Sequence, residues 1–259
     1  MNEIETTTEE LVKKGIEAYD KGRIIEAIEC FDQAIKIEPR LIKAWKLKAV
    51  VMRSLGKIEE ELRCYEKALE IDQKQPEIWY WKGLIHYTTG EIEKAKESLK
   101  NAIKFKPDFT EALLQLGNVL CYMKNPKEAL TYYDKALEIN EKHANAWYCK
   151  GVAYNMLGMK EEEIKSYNKA LEINPKHIQS WVNKGEFLRR EGNIEKGIEC
   201  FDKAIKIDPN FAEAWYNKGR ALEELGQTKE ADTCIMHAFR LNPNLLYYVF
   251  QEYGIIKEE

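Results

Sequence analysis

The chain has 259 residues, of which 44% are hydrophobic, enough to build a core, and 32% are charged. Its net charge of −4 disfavours nucleic-acid binding, which usually shows a basic footprint. No apolar run reaches the ~18 residues that a membrane span requires, and the acidic start Met1–Glu5 lacks the apolar core of a secretory signal, so the sequence predicts no membrane association and a cytoplasmic location.

A repeat of 34 residues runs through the chain. Alanines recur at this spacing from Ala34 to Ala238, and a tryptophan or leucine recurs at it from Leu11 to Trp215. A period of this length indicates stacked helical units, each of which buries its apolar face against the next. Seven units fit end to end without an insertion: 8–41, 42–75, 76–109, 110–143, 144–177, 178–211 and 212–245.

Each unit is predicted to contain two helices, A and B. Thr7 and Glu10 have the spacing of a capping box, which predicts that helix A of repeat 1 begins there and that residues 1–7 form a loose N-terminal segment. In six units a glycine separates helix A from helix B. Repeat 4 lacks this glycine, and there Asn125 is predicted to cap helix B and Pro126 to occupy its first position.

These signals resemble the tetratricopeptide repeat family. In repeat 5, Trp147, Gly151, Tyr154, Ala170 and Pro175 stand in the order and at the spacing of that family, and the resemblance extends over all seven units. It implies an all-α fold, a right-handed superhelical α-solenoid of helix-turn-helix repeats. It also implies a concave groove in which family members hold peptides or protein segments.

Two glutamates depart from the repeat. Glu61 and Glu163 occupy a helix B position where four other repeats carry alanine. A lone buried carboxylate is costly, so these side chains are expected to reach outward or to pair. Six repeats carry a lysine in helix A where the family often has leucine, and these lysines are expected to lay their stems on the repeat interface with the charge in water.

A second stripe of helix A, one residue on from the tryptophan stripe, is not dictated by the repeat, and we call it the helix-A stripe. By the resemblance it lines the concave groove. Exposed aromatic and apolar side chains on a scaffold usually mark an interaction site, although flanking side chains could instead fill the groove. The predicted groove residues are Tyr80, Leu84, Tyr87, Leu114, Asn118, Tyr148, Val152, Asn155, Arg189, Tyr216 and Arg220.

The sequence offers no set of residues for catalysis, for a cofactor or for a metal. Cys30, Cys64, Cys200 and Cys234 share one repeat position and are interpreted as packing residues. No pair of histidines has the spacing of zinc ligands on a helix, and no phosphate-binding loop stands outside the repeat. The chain is therefore predicted not to be an enzyme and to bind no cofactor.

Residues 246–259 are predicted to form a C-terminal capping helix and tail. One apolar stripe of this segment can cover repeat 7. The remaining apolar side chains would lie in water or would contact a second copy, so a monomer and a homodimer through this helix both stay open. The two groups are Leu246, Val249, Phe250 and Tyr253 within the stripe, and Leu245, Tyr248 and Ile255 outside it.

The sequence favours a cytoplasmic adaptor, a non-catalytic scaffold that binds a peptide or a protein segment in its groove. An alternative is a structural scaffold that self-assembles through the C-terminal helix or the ends of the solenoid. An RNA-binding helical repeat is a third alternative, which the acidic composition disfavours. The predicted partner is thus a protein or peptide, and neither a nucleic acid nor a membrane.

Overall fold

The computed structural model describes the backbone of residues 2–245 and the side chains from Thr7 onward. These residues form fourteen α-helices and no strand, which confirms the predicted all-α fold. The predicted capping helix and the predicted dimer contact at 246–259 lie outside the described residues. The chain divides into two compact units, here the N-terminal unit (residues 1–123) and the C-terminal unit (residues 124–259).

The N-terminal unit contains three complete helix pairs and helix A of repeat 4, which packs on the last of those pairs. Within each pair, helix A packs against helix B, and helix B then packs against the next helix A. Its helices are α1 (Asn2–Asp20), α2 (Ile24–Ile37), α3 (Ile42–Ser54), α4 (Ile58–Ile71), α5 (Pro76–Thr88), α6 (Ile92–Phe105) and α7 (Thr110–Tyr122).

The C-terminal unit begins with helix B of repeat 4 and continues with three helix pairs. The same packing order recurs, since each helix contacts the one that follows it in the chain. Its helices are α8 (Pro126–Ile139), α9 (Ala144–Met156), α10 (Lys160–Ile173), α11 (Ile178–Arg190), α12 (Ile194–Ile207), α13 (Ala212–Glu224) and α14 (Thr228–Leu241).

Two local details differ from the sequence-based expectation. Helix α1 begins at Asn2 rather than Thr7, and no glycine or proline interrupts the residues between them. Pro126 begins α8 as predicted, but the side chain of Asn125 makes no bond to a backbone N–H. Its amide instead donates to the carboxylate of Glu128 at 2.8 Å, so the start of α8 is fixed between side chains.

The glycines of helix A allow the two helices of a repeat to approach each other. A Cβ atom at Gly151 would lie 2.4 Å from Cε1 of Tyr167, and one at Gly185 would lie 2.6 Å from Cε1 of Phe201. Both rings are fully buried. The small residue therefore accommodates the aromatic residue of its own helix B.

In five repeats a tryptophan joins helix A to the turn before it. Five indole Nε1 atoms donate to the carbonyl oxygen six residues earlier at 2.8–3.0 Å. A turn carbonyl that lacks a helical partner is thereby satisfied. The pairs are Trp45 with Pro39, Trp79 with Gln73, Trp147 with Glu141, Trp181 with Pro175 and Trp215 with Pro209.

Five of the helix A lysines form ion pairs or hydrogen bonds with helix B of the preceding repeat. Lys48 Nζ lies 2.5 Å from Asp32 Oδ1, and Lys150 Nζ lies 2.5 Å from Asp134 Oδ1, in each case on helix B of the preceding repeat. The acidic partners are about half exposed, so each pair contributes at most about 1 kcal/mol. The pattern repeats at Lys82 with Glu66, at Lys184 with Asn168 and at Lys218 with Asp202.

Candidate functional site

In the N-terminal unit, the helix-A stripe presents partly exposed aromatic rings. The ring of Tyr80 lies 5.1 Å from that of Phe109, and the ring of Tyr87 lies 6.0 Å from that of Tyr122 in an edge-on arrangement. Tyr80 and Tyr87 are half-buried, while Tyr122 is 62% exposed. These rings are held by aromatic neighbours and still offer surface to a ligand.

The other stripe residues of this unit differ in what they can offer. Leu84 is half-buried, and Asn118 is half-buried with its amide donating to Gln115 Oε1 at 3.5 Å. Leu114 is only 8% exposed. We therefore correct the sequence-based assignment, because Leu114 is a packing residue and does not form part of the candidate surface.

In the C-terminal unit, Tyr148 is half-buried and packs against two neighbouring rings. Its ring lies 6.2 Å from that of Tyr167 and 5.2 Å from that of His177. Burial raises the pKa of Tyr148 to about 12. Tyr216 is 8% exposed and its ring lies 6.2 Å from that of Phe239. We therefore exclude Tyr216 from the candidate surface, as we exclude Leu114.

The polar stripe residues of the C-terminal unit are largely engaged within the unit. Arg189 bonds to both carboxylate oxygens of Glu186 and also pairs with Glu224. Asn155 is exposed and accepts a hydrogen bond from Arg190 Nη1 at 3.1 Å. The remaining two residues, Val152 and Arg220, are half-buried.

The two glutamates are buried and paired, which is one of the two alternatives that the sequence left open. Glu61 Oε1 lies 2.7 Å from Arg53 Nε, and Glu163 Oε1 lies 2.6 Å from Arg190 Nη2. Their side chains are 3% and 2% exposed. Burial raises the pKa of Glu163, and Arg190 opposes that rise.

Sequence reasoning did not select a cleft in the N-terminal unit. A cavity of about 220 Å³ lies between α3, α4 and α5. Trp81 lines it together with the stripe residues Arg53 and Leu84. Trp81 is the one tryptophan that stands outside the repeat position, and this irregularity was the signal available in the sequence.

A larger, open cavity of about 650 Å³ lies at the first repeat. It is lined by the stripe residues Val12 and Ile16, by Leu41 and by charged side chains that include Glu9 and Lys43. The sequence placed Val12 and Ile16 on the helix-A stripe without selecting them as groove residues. Val12 is 3% exposed and belongs to the core, so the half-buried Ile16 is the stripe residue that offers apolar surface at this cavity.

Histidine caps the helix A of repeat 6. His177 Nδ1 accepts from the backbone N–H of Ser180 at 3.2 Å, so the ring proton lies on Nε2, which donates to Asn145 Oδ1 at 2.6 Å. The bond that Nδ1 accepts requires the neutral ring, because a protonated ring has no acceptor nitrogen. Burial lowers the pKa of His177 below its ordinary value.

We expect folding stability to fall by about 1 kcal/mol as the pH drops from 7.5 towards 5.5, the worth of one helix cap. Because the pKa of His177 is lowered in the folded chain, the unfolded chain takes up the proton first. The stabilisation is complete above the ordinary pKa of 6.5 and is lost below it. Urea unfolding at stepped pH measures this loss.

The variant His177→Asn retains a capping side chain that does not titrate, so its stability should change less over this range. His237→Asn is the matched control, because His237 lies inside α14 and caps no helix. Equal pH dependence in the wild type and in His177→Asn would contradict the assignment of the effect to this cap.

The part of the chain that the structure describes contains no cluster of side chains suited to metal binding. No group of three or more histidine, cysteine, aspartate or glutamate side chains could hold a metal ion there. The six cysteines are free thiols, and burial raises the pKa of Cys64 to about 11, which suits a packing role. Over the same range, no helix combines the length and apolarity needed to cross a membrane.

Comparison with known families gives one consistent result. Models described as tetratricopeptide repeat or TPR repeat match most of the chain. The matched residues are 11–41, 51–90, 76–109, 108–176, 178–211 and 200–233.

Solved structures with the same fold cover most of the chain. A tetratricopeptide repeat protein from Parabacteroides merdae is 22% identical, with a TM-score of 0.76 over 92% of this chain and 94% of that one. YrrB, described as a TPR protein with an unusual peptide-binding site, is 29% identical, with a TM-score of 0.60 over 74% of this chain and 99% of its own. The first likeness shows the fold alone.

Among curated proteins, the mouse protein O-mannosyl-transferase TMTC3 is 36% identical over 55 residues. The match includes 21% of this chain and spans only 6% of the length of that relative.

Proposed function

The chain belongs to the tetratricopeptide repeat family, and from that premise we propose that it is a non-catalytic scaffold that binds a peptide or protein segment on the helix-A stripe. The stripe of the N-terminal unit is the surface that we assign to the ligand. A cytoplasmic location and an adaptor role are part of the same proposal.

The observation that carries the proposal is the pair of half-buried tyrosines, Tyr80 and Tyr87. Neither ring is required by the repeat, whose own helix A positions are occupied by Trp79 and His86 in the same helix. Both are fixed by neighbouring rings, so little side-chain entropy remains to be lost on binding. Rigid, amphipathic tyrosines are the residues that interfaces most often use as anchors.

The peptide-binding site attributed to YrrB supports a ligand of the same class for this chain. The helical fold, shared over 74% of this chain, makes helix A side chains available at regular intervals. Because helix A residues outside the repeat pattern can vary without loss of the fold, they can determine which ligand is bound.

The double variant Tyr80→Ala/Tyr87→Ala tests this function. We expect the native partner, captured from lysate and then purified, to bind the variant at least about tenfold more weakly, a loss of ~1.4 kcal/mol. Titration calorimetry with the purified partner gives the affinity, and circular dichroism verifies the helical fold of the variant.

Ile25→Ala is the matched control, since Ile25 is 75% exposed on α2, outside the helix-A stripe, in the same unit. It should leave the affinity unchanged. A double tyrosine variant that folds normally and binds every captured partner as tightly as the wild type would overturn the assignment of the ligand to this surface.

A further inference from the structure

The cleft between α3, α4 and α5 is small and mostly apolar. Its volume of about 220 Å³ is below the range of pockets that enclose a whole small molecule, so it suits a single side chain of a larger ligand. Ile58, Leu84, Ile85 and the indole of Trp81 supply apolar wall. Trp81 is 37% exposed, and its ring is therefore accessible from solvent.

A buried carboxylate holds Arg53 in place at this cleft. Glu61 bonds to Arg53 Nε, and Arg53 Nη2 donates to the hydroxyl of Tyr65. The guanidinium carbon lies 3.6 Å from the centre of the Trp81 ring, which is stacking distance. The other nitrogen, Nη1, makes no hydrogen bond among the described residues, so its two N–H groups can reach a ligand.

Trp81 supplies a second donor. The other five indole N–H groups donate to turn carbonyls, but that of Trp81 makes no such bond in the described part of the chain. Two of the acceptors that line the cleft are partly engaged. One oxygen of Glu61 accepts from Arg53 Nε, and the hydroxyl of Thr88 uses its proton for the carbonyl of Ile85.

We propose that this cleft is a subsite for a proline residue of an extended peptide, with Arg53 and Trp81 donating to the peptide carbonyls and the proline ring lying in the apolar cleft. This inference rests on the proposed function and specifies its ligand. A proline has no backbone N–H, so it leaves no unpaired donor in a cleft that is rich in donors.

The conformation of such a peptide fits the same site. A polyproline II segment has no internal hydrogen bonds, so its carbonyl oxygens are free to accept. Aromatic-lined grooves are a recurrent way of binding it, since its ordering entropy has already been lost. An acidic ligand fits less well, because the charge of Arg53 is already balanced by Glu61 and a second carboxylate would be desolvated without compensation.

The test uses an N-terminally fluorescein-labelled nonaproline peptide and the full chain. We expect fluorescence anisotropy to show binding at least tenfold tighter than that of a labelled glycine–serine peptide of the same length. Trp81→Phe keeps an aromatic ring against Arg53 and removes the N–H donor together with part of the ring area. It should weaken binding about fivefold to tenfold, as expected for the loss of one hydrogen bond.

Two further variants complete the design. Trp81→Ala should abolish measurable binding of nonaproline. Arg63→Gln should leave it unchanged, since Arg63 is 75% exposed on α4 and does not line the cleft. Circular dichroism of each variant verifies the fold.

Equal affinity for the two peptides, no binding of nonaproline, or full affinity in Trp81→Phe would each overturn the proline subsite. The proposed function has a separate readout in the Tyr80→Ala/Tyr87→Ala variant. If nonaproline fails while that variant still loses its native partner, the subsite is wrong and the scaffold function stands. If both results are negative, both proposals are overturned.

Discussion

Replacing Arg190 by alanine is expected to lower the free energy of unfolding by about 3–5 kcal/mol at neutral pH. The substitution leaves the carboxylate of Glu163, 2% exposed, without its charged partner. A buried pair contributes little net stability because both charges were desolvated, yet removal of one partner leaves the other charge uncompensated. Urea unfolding followed by circular dichroism measures the loss.

The pH dependence of the variant identifies the cause. Burial already raises the pKa of Glu163, and loss of Arg190 removes the group that opposes the rise. For an acid whose pKa is raised in the folded chain, the folded state binds the extra proton, so the penalty is present at high pH and disappears as the pH falls towards the ordinary value of 4.5. The deficit of Arg190→Ala should therefore shrink on acidification.

The double variant Arg190→Ala/Glu163→Ala is the matched control. It removes both charges and restores the alanine that four other repeats carry at this position, so most of the lost stability should return. Glu163→Ala alone should have a small effect, because Arg190 is 39% exposed and can turn to water. A double variant as unstable as Arg190→Ala would contradict the explanation by an unpaired charge.

The sequence predicted that the two glutamates would either reach outward or pair, but it could neither choose between these alternatives nor identify the partners. Glu61 pairs with Arg53 of its own repeat, whereas Glu163 pairs with Arg190 of the next. At the position of Arg53, repeat 5 carries Asn155. The partner therefore depends on whether a long arginine side chain extends from one repeat to the next. The 34-residue spacing does not predict this.

The helices could be predicted because the 34-residue period, the glycine breaks and the prolines each have a local physical cause. The beginning of α1 could not, since Thr7 and Glu10 fit a capping box but nothing before them excludes a helix. Helix starts depend on small differences in free energy, while the repeat depends on the burial of many side chains.

The candidate site was harder to predict than the fold for a similar reason. Tyr80 and Tyr216 occupy the same repeat position, yet Tyr80 is half-buried and Tyr216 is 8% exposed. Their ring neighbours lie outside the helix-A stripe, Phe109 beside the first and Phe239 beside the second. The spacing of residues within one helix predicts which of them face a surface. Contacts with the neighbouring helices then determine which of these residues remain accessible.

Replacing Trp181 by alanine is expected to lower the free energy of unfolding by about 3 kcal/mol, at the low end for a tryptophan truncation because the side chain is only partly buried. The ring packs against the core cluster that contains Phe201 and Ala204. Its N–H donates to the carbonyl of Pro175 at 2.8 Å, and Lys203 Nζ lies 4.4 Å from the ring centre. Urea unfolding measures the sum of these losses.

Two conservative variants separate packing from hydrogen bonding at Trp181. Trp181→Phe keeps most of the apolar area and removes the N–H, so its loss should be about 1 kcal/mol. Trp181→Leu should lie between the two, because leucine occupies this position in repeats 1 and 4. Hydrogen exchange should show the weakening first in α11 and α12, since each repeat depends chiefly on its neighbours. If Trp181→Phe proved as unstable as Trp181→Ala, the bond to the turn carbonyl would outweigh the packing of the ring.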